Sequence, residues 1–180
     1  SSSPHVRDNS STAVIMKDVC IAMIPTLAFG CFQFGISALI VVICTVLSCV
    51  LAEYLYEKFM NKPITIGDFS AVVTGLILAL NMPPQIPVWM PILGGVFAII
   101  VVKQLYGGLG QNFMNPALAA RCFMLISFAG AMTNFSSAAL KFDSTSTPTP
   151  LGFLRANGIK IALDQYNLLN IFLGRIPGTI

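Results

Sequence analysis

The chain has 180 residues, 56% of them hydrophobic and 9% charged, and its mean hydropathy is +0.81. Soluble domains carry about 25% charged residues, so these values exclude an ordinary water-soluble domain and predict an integral membrane protein. The net charge of +3 is too small to point to nucleic acid and suits a chain whose few cations are set by topology.

Each membrane crossing needs roughly 20 apolar residues, so the length suits an all-α polytopic unit of about five segments. The sequence begins with Ser rather than Met and is read as part of a longer protein. Residues 1–12 form a polar lead-in without the pattern of a secretory signal. His5, the single histidine, sits there beside Arg7 and Asp8 and is read as a surface residue.

The membrane unit is expected over 13–133. Segment one runs from about Ala13 to Phe32, with Ser10, Ser11 or Thr12 as its cap. Lys17 and Asp18 lie near its start, where long side chains snorkel, and Pro25 is expected to kink it. Gln33-Phe34-Gly35 reads as a tight turn. Segment two, Ile36 to about Leu55, is continuously apolar; Glu53, Glu57, Lys58 and Lys62 are expected to mark its exit into water, with Tyr54 and Tyr56 as interfacial anchors.

Asp68 is a plausible cap for segment three, Phe69 to Leu80. Its twelve residues reach only ~18 Å, short of the ~30 Å hydrocarbon core, and Asn81-Met82-Pro83-Pro84 stops it. A broken helix at membrane depth is tolerated where protein or a cavity covers it. Thr74-Gly75 suits close helix packing. Segment four runs from Pro87 to about Val102, with Trp89 at its entrance. After Lys103 and Gln104 comes a loop with glycine at 107, 108 and 110. Asn115-Pro116 then reads as a cap followed by proline at the first helical position. Segment five covers Ala117 to about Met132 and carries Arg121 one turn inside.

Residues 134–157 are a polar loop containing Asp143-Ser144-Thr145-Ser146-Thr147-Pro148-Thr149-Pro150-Leu151, which is extended because two residues precede proline. Residues 158–180 read as an interfacial helix followed by further chain. The five cysteines lie in apolar segments without a CxxC pair and are read as small hydrophobes. If all five segments cross, Arg7, Lys17, Lys58, Lys62, Lys103 and Arg121 fall on one side, and the opposite short loops at 33–35 and 81–87 hold no lysine or arginine. The N-terminus is therefore expected in the cytoplasm and Thr149 on the outer face.

Two stretches carry possible chemistry. Around the glycine loop, freed backbone donors and the amides of Gln111, Asn112 and Asn115 can bond a polar ligand. The loop lacks the ending of a P-loop and the context of a dinucleotide fingerprint, and from the residues alone a tight turn between helices is favoured over a ligand site. The Thr/Pro loop offers hydroxyls for modification. No catalytic triad or metal-ligand cluster is legible, so no catalytic residue and no metal site is assigned. Glu53, Asp68 and Arg121 are candidates for coupling to an ion because they ionise near the membrane.

Ser70–Leu76, Leu80–Pro84 and the run Lys103-Gln104-Leu105-Tyr106-Gly107-Gly108-Leu109-Gly110-Gln111-Asn112 with Asn115-Pro116-Ala117-Leu118 closely resemble the RnfD family of the Rnf electron-transport complex. They are more distantly similar to the NqrB family of the sodium-pumping NADH:quinone oxidoreductase. The resemblance implies the first half of a urea-transporter-like inverted-repeat fold. It also implies FMN joined by a phosphoester to a threonine. Asp143, Ser146, Thr149, Pro150 and Leu151 match that motif in spacing, which makes Thr149 the attachment residue; Thr147 and Pro148 replace the usual small pair. A second, non-covalent riboflavin involving Asn112 and Asn115 is implied as well. The function implied is an electron relay within an ion-translocating ferredoxin:NAD oxidoreductase of a bacterial or archaeal cytoplasmic membrane, partnered by the other members of the complex and the bilayer. From the residues alone, a passive channel for a small polar solute is the rival reading.

Overall fold

In a computed structural model, residues 11–133 are described. They form helices joined by short connections, with no strand among them. The Thr/Pro loop, Thr149, His5 and the 158–180 segment lie outside the described residues.

Helix α1 (Thr12–Phe34) starts at Ser11, whose hydroxyl accepts from the Val14 amide at 3.4 Å. Its 23 residues reach ~34 Å, enough to cross the ~30 Å hydrocarbon core. None of its residues is buried, and Lys17 and Asp18 are both exposed. Pro25 lies within the unbroken helix. Gly35 alone, at φ 75°, makes the turn into α2 (Ile36–Phe59), so the turn is shorter than expected.

Helix α2 is the hub, contacting α1, the next two α-helices and the π-helix described below. Its outer face shows Leu39, Ile43, Leu47, Leu51 and Leu55. Its inner face buries Val41, Val42, Thr45, Ser48, Cys49, Ala52, Glu53 and Glu57, the three- and four-residue spacing of one helix stripe. Thr45 and Ser48 donate back to the carbonyls of Val41 and Thr45, at 2.6 and 2.8 Å, and so enter an apolar interface satisfied. Neighbouring backbones come close: a Cβ added at Gly75 would lie 2.8 Å from the Val46 Cα, and one at Gly95 would lie 2.1 Å from the Ser48 Oγ.

After a 3₁₀ turn (Ile66–Asp68), helix α3 (Ser70–Leu80) packs on α2. Its stop is protected: Asn81 donates to the Ile77 carbonyl at 2.7 Å, and Met82, Pro83 and Pro84 are buried. The broken backbone is thus covered by protein, as the short segment required. Helix α4 (Trp89–Val96) continues as a π-helix (Phe97–Gln104). Helix α5 (Pro116–Ser127) is capped by Asn115, whose Oδ1 accepts from the Ala117 and Leu118 amides at 3.0 and 3.4 Å. The expected fifth segment breaks at Phe128, whose ring meets Trp89 edge-on at 5.3 Å, and resumes as α6 (Ala129–Thr133).

One core joins Val41, Leu78, Met82, Ile86, Met90, Ala98, Ala117, Ala120, Met124 and Met132. A smaller one holds Cys49, Ala52, Ala71 and Ile99. Cys49 is fully buried as expected for a small hydrophobe, whereas Cys122 is exposed. Among the described residues α1 and α2 are long and apolar enough to cross a membrane, and Ser70–Leu80, Trp89–Gln104 and Pro116–Ser127 are shorter apolar helices.

Candidate functional site

The last two turns of α2 do not leave the protein. Glu53 and Glu57, one turn apart, are 0% and 2% exposed. The expectation that they mark an exit into water is therefore corrected: the π-helix and the start of α3 cover that face. Lys103 and Gln104, 2% and 3% exposed, meet them from the end of the π-helix. Lys103 Nζ donates to Glu53 Oε1 at 2.5 Å, and Gln104 Nε2 donates to Glu53 Oε1 and Glu57 Oε1 at 2.9 and 3.3 Å. The Thr65 amide donates to Glu57 Oε2 at 3.0 Å, and the Thr65 hydroxyl donates to Glu57 Oε1.

The network continues through Ser70. Lys103 Nζ also donates to Ser70 Oγ at 2.5 Å, and that hydroxyl donates to Asp68 Oδ1 at 2.5 Å. Asp68 additionally accepts from the Ser70 amide at 2.8 Å. It caps α3 from one residue outside the expected place, because the position before the helix is Phe69 in the left-handed region at φ 60°. Asp68, Ser70, Lys103, Glu53, Gln104, Glu57 and Thr65 thus form one continuous chain of hydrogen bonds. Glu53 Oε2 is buried with no partner among the described residues. Buried ion pairs are costly to break because the surviving charge is left without water or counter-charge.

The π-helix makes this possible. A wider turn is rare and frequently marks a functional site. Here Val102, Lys103 and Gln104 are consecutive and all buried. Leu105 and Gly108 donate five residues back, to Ile100 and Lys103 carbonyls at 3.0 and 3.1 Å.

The chain then turns through Gly107, Gly108 and Gly110, at φ 113°, 99° and 84°. Side chains other than glycine rarely adopt these angles. The loop is a tight turn, as favoured from the residues, and its backbone donors are not all free for a ligand. Gly107, Gly108 and Gln111 amides bond the Gln104, Lys103 and Gly108 carbonyls, tying the loop to the end of the π-helix and to itself. Tyr106 and Phe113 rings meet at 4.8 Å across it.

Beneath the loop lies a pocket of about 150 Å³. Its polar lining is Ser70, Thr74, Lys103, Asn112 and Asn115; its apolar lining is Met16, Val73, Ile77, Leu109 and Pro116. Asn112 Nδ2 is spent on the Met114 carbonyl at 3.0 Å, and Asn115 Oδ1 on the cap. Asn112 Oδ1 and Asn115 Nδ2 have no bond among the described residues. The structure therefore brings together the two asparagines read from sequence and adds Lys103, Ser70 and Thr74, which sequence reasoning passed over. Arg121 lies elsewhere: it is exposed and its Nη1 donates to Asn81 Oδ1 at 2.9 Å, tying α5 to the end of α3.

The sequence matches the family model described as the NQR2, RnfD, RnfE family over residues 1–180. It is 48% identical to a subunit of the Na(+)-translocating ferredoxin:NAD(+) oxidoreductase complex of Acetobacterium woodii, over 98% of this chain and 56% of that protein. It is 44% identical to a subunit of the proton-translocating ferredoxin:NAD(+) oxidoreductase complex of Clostridium ljungdahlii, over 100% of this chain and 56% of that protein. With a subunit of the ion-translocating oxidoreductase complex of Shewanella amazonensis the identity is 43%, over 86% of this chain and 44% of that protein. Each of these relatives is designated D among the members of its complex. The chain spans about half the length of these curated relatives. It belongs to the NQR2, RnfD, RnfE family.

Proposed function

From that membership as premise, we propose that this chain is part of a multi-pass membrane flavoprotein subunit. The subunit relays electrons in an ion-translocating ferredoxin:NAD oxidoreductase complex. The observation that carries this reading is the identity of 44–48% to two subunits of such complexes, across essentially the whole chain. Its partners are the other subunits of the complex. The N-terminus is cytoplasmic and the Thr149 loop lies on the outer face, as the lysine and arginine distribution favours. FMN is carried on Thr149 through a phosphoester, supported by the spacing of Asp143, Ser146, Thr149, Pro150 and Leu151.

Riboflavin is held non-covalently at the pocket under the glycine loop. The residues there suit one edge of a flavin, an apolar ring rimmed by carbonyls and ring nitrogens. Val73, Ile77, Leu109 and Pro116 offer apolar contact, and Asn115 Nδ2 and Asn112 Oδ1 are an unspent donor and acceptor. Complete ligand sites span ~300–1,000 Å³, so this pocket takes part of the ring. Bound flavin supplies one- and two-electron redox chemistry, while the protein supplies position and electrostatics.

The covalent site is tested on a denaturing gel of the complex, made in a host with the flavin transferase. In-gel flavin fluorescence is expected on this subunit and lost in Thr149→Val. Fluorescence that persists in the variant removes Thr149 from the role. For the pocket, Asn115→Asp keeps the cap acceptor and removes the amide donor. Extractable riboflavin is expected to fall in Asn115→Asp and Asn112→Ala, and unchanged content in both discards the assignment.

A further inference from the structure

Lys103 sits where two parts of the molecule meet. It belongs to the buried network, yet it also forms part of the pocket wall. Of the network's charged groups, Glu53, Glu57, Asp68 and Lys103, it is the one that lines the pocket. An ammonium has three donors. Two are bound, to Glu53 Oε1 and Ser70 Oγ, both at 2.5 Å. The third has no acceptor among the described residues. Glu53, which anchors the ammonium, does not itself line the pocket.

A structural ion pair alone would be satisfied by any arrangement that joins α2 to the π-helix. Here a buried lysine whose ammonium has a donor to spare lines a cavity otherwise lined by neutral groups. In a low-dielectric setting a fixed charge acts over several ångströms with little screening. Placing it there raises the affinity for whatever form of a ligand carries more negative charge.

The geometry points to Lys103 as a tuning residue: its ammonium, held by Glu53 and Ser70, faces the ligand of the pocket and favours the ligand's reduced state over its oxidised state. The inference rests on the riboflavin reading of the pocket. Each electron entering the ring adds one negative charge, and Lys103 offsets part of it without making or breaking a covalent bond. Removing the cation makes the bound flavin harder to reduce. Removing the Glu53 charge leaves the cation uncompensated and makes the flavin easier to reduce.

The test is an electrochemical titration of the intact complex, with electrons supplied by an electrode through mediators and the riboflavin followed by its visible spectrum. In Lys103→Gln the midpoint is expected to move to more negative potential, changing the reduced-to-oxidised ratio at fixed potential about tenfold, ~59 mV for a one-electron step. In Glu53→Gln it moves the opposite way, and Lys103→Arg stays near the parent. Variants that keep their riboflavin with unmoved midpoints overturn the inference and leave the pocket assignment standing. A parent complex with no extractable riboflavin overturns the assignment itself, and this inference with it. If Lys103→Gln does not assemble, the direction of the Glu53→Gln shift decides: a positive shift supports the role, and none or a negative one ends it.

Discussion

Helices α1 and α2 have 23 and 24 residues, and both are long and apolar enough to cross a membrane. In the fold they have different duties. Helix α1 buries none of its residues, while α2 buries eight, among them Thr45, Ser48, Glu53 and Glu57. Hydrophobic length makes a segment that can enter a bilayer. Small and hydrogen-bonding residues along one stripe make it a hub, since apolar side chains gain little by leaving lipid for protein. The polar residues that look like interruptions of α2 are its joints, whereas Lys17 and Asp18 on α1 are what they look like, exposed charges near a helix start.

That contrast can be broken in graded steps. The largest effect is expected in the buried network. Lys103→Ala leaves Glu53 buried without its cation and should cost about 3–5 kcal/mol of stability, read as a lower SDS-unfolding midpoint of the full-length subunit in mixed micelles. Lys17→Ala should leave the midpoint where it was. Equal shifts in the two would mean the network is not a joint. Next comes close packing. Gly75→Val places a Cβ against the Val46 backbone, where a Cβ has 2.8 Å to the Val46 Cα, and overpacking of this kind costs about 1–3 kcal/mol or more. Gly30→Val on α1 meets nothing within 4 Å and should be neutral in the same assay.

The smallest contrast lies at the caps. Asn115→Ala removes two bonds to the first turn of α5 and should cost about 1 kcal/mol. Ser11→Ala removes one long bond of 3.4 Å from α1 and should cost less, seen as a smaller drop in melting temperature. A larger loss at Ser11 would show that the start of α1 bears more of the fold than its exposure indicates.

Much of the local structure was legible. The cap at Asn115 followed by Pro116, the stop at Asn81–Pro84, the close approach at Gly75 and the start of α2 all rest on short-range chemistry. The misreading at the end of α2 has a long-range cause. Glu53 and Glu57 near the end of an apolar run read as an exit, because charge at such a boundary normally meets water. Their partners on the π-helix, Lys103 and Gln104, stand 47 to 51 residues away along the chain. The glycine loop is the tight turn between helices that its residues favoured, and three of its amides are bonded to the Gln104, Lys103 and Gly108 carbonyls once its φ angles are set.

By itself, then, the sequence determined the membrane class, the apolar segments and their breaks, and the family. Those depend on composition, on periodicity and on residues adjacent along the chain. The tertiary structure alone decided that Lys103 meets Glu53 and Ser70, and that Asn112, Asn115 and Thr74 share a pocket with Lys103 and Ser70. The physical reason is the return of the chain: a charge is solvated or paired according to what the fold lays against it, and no local pattern states what that will be.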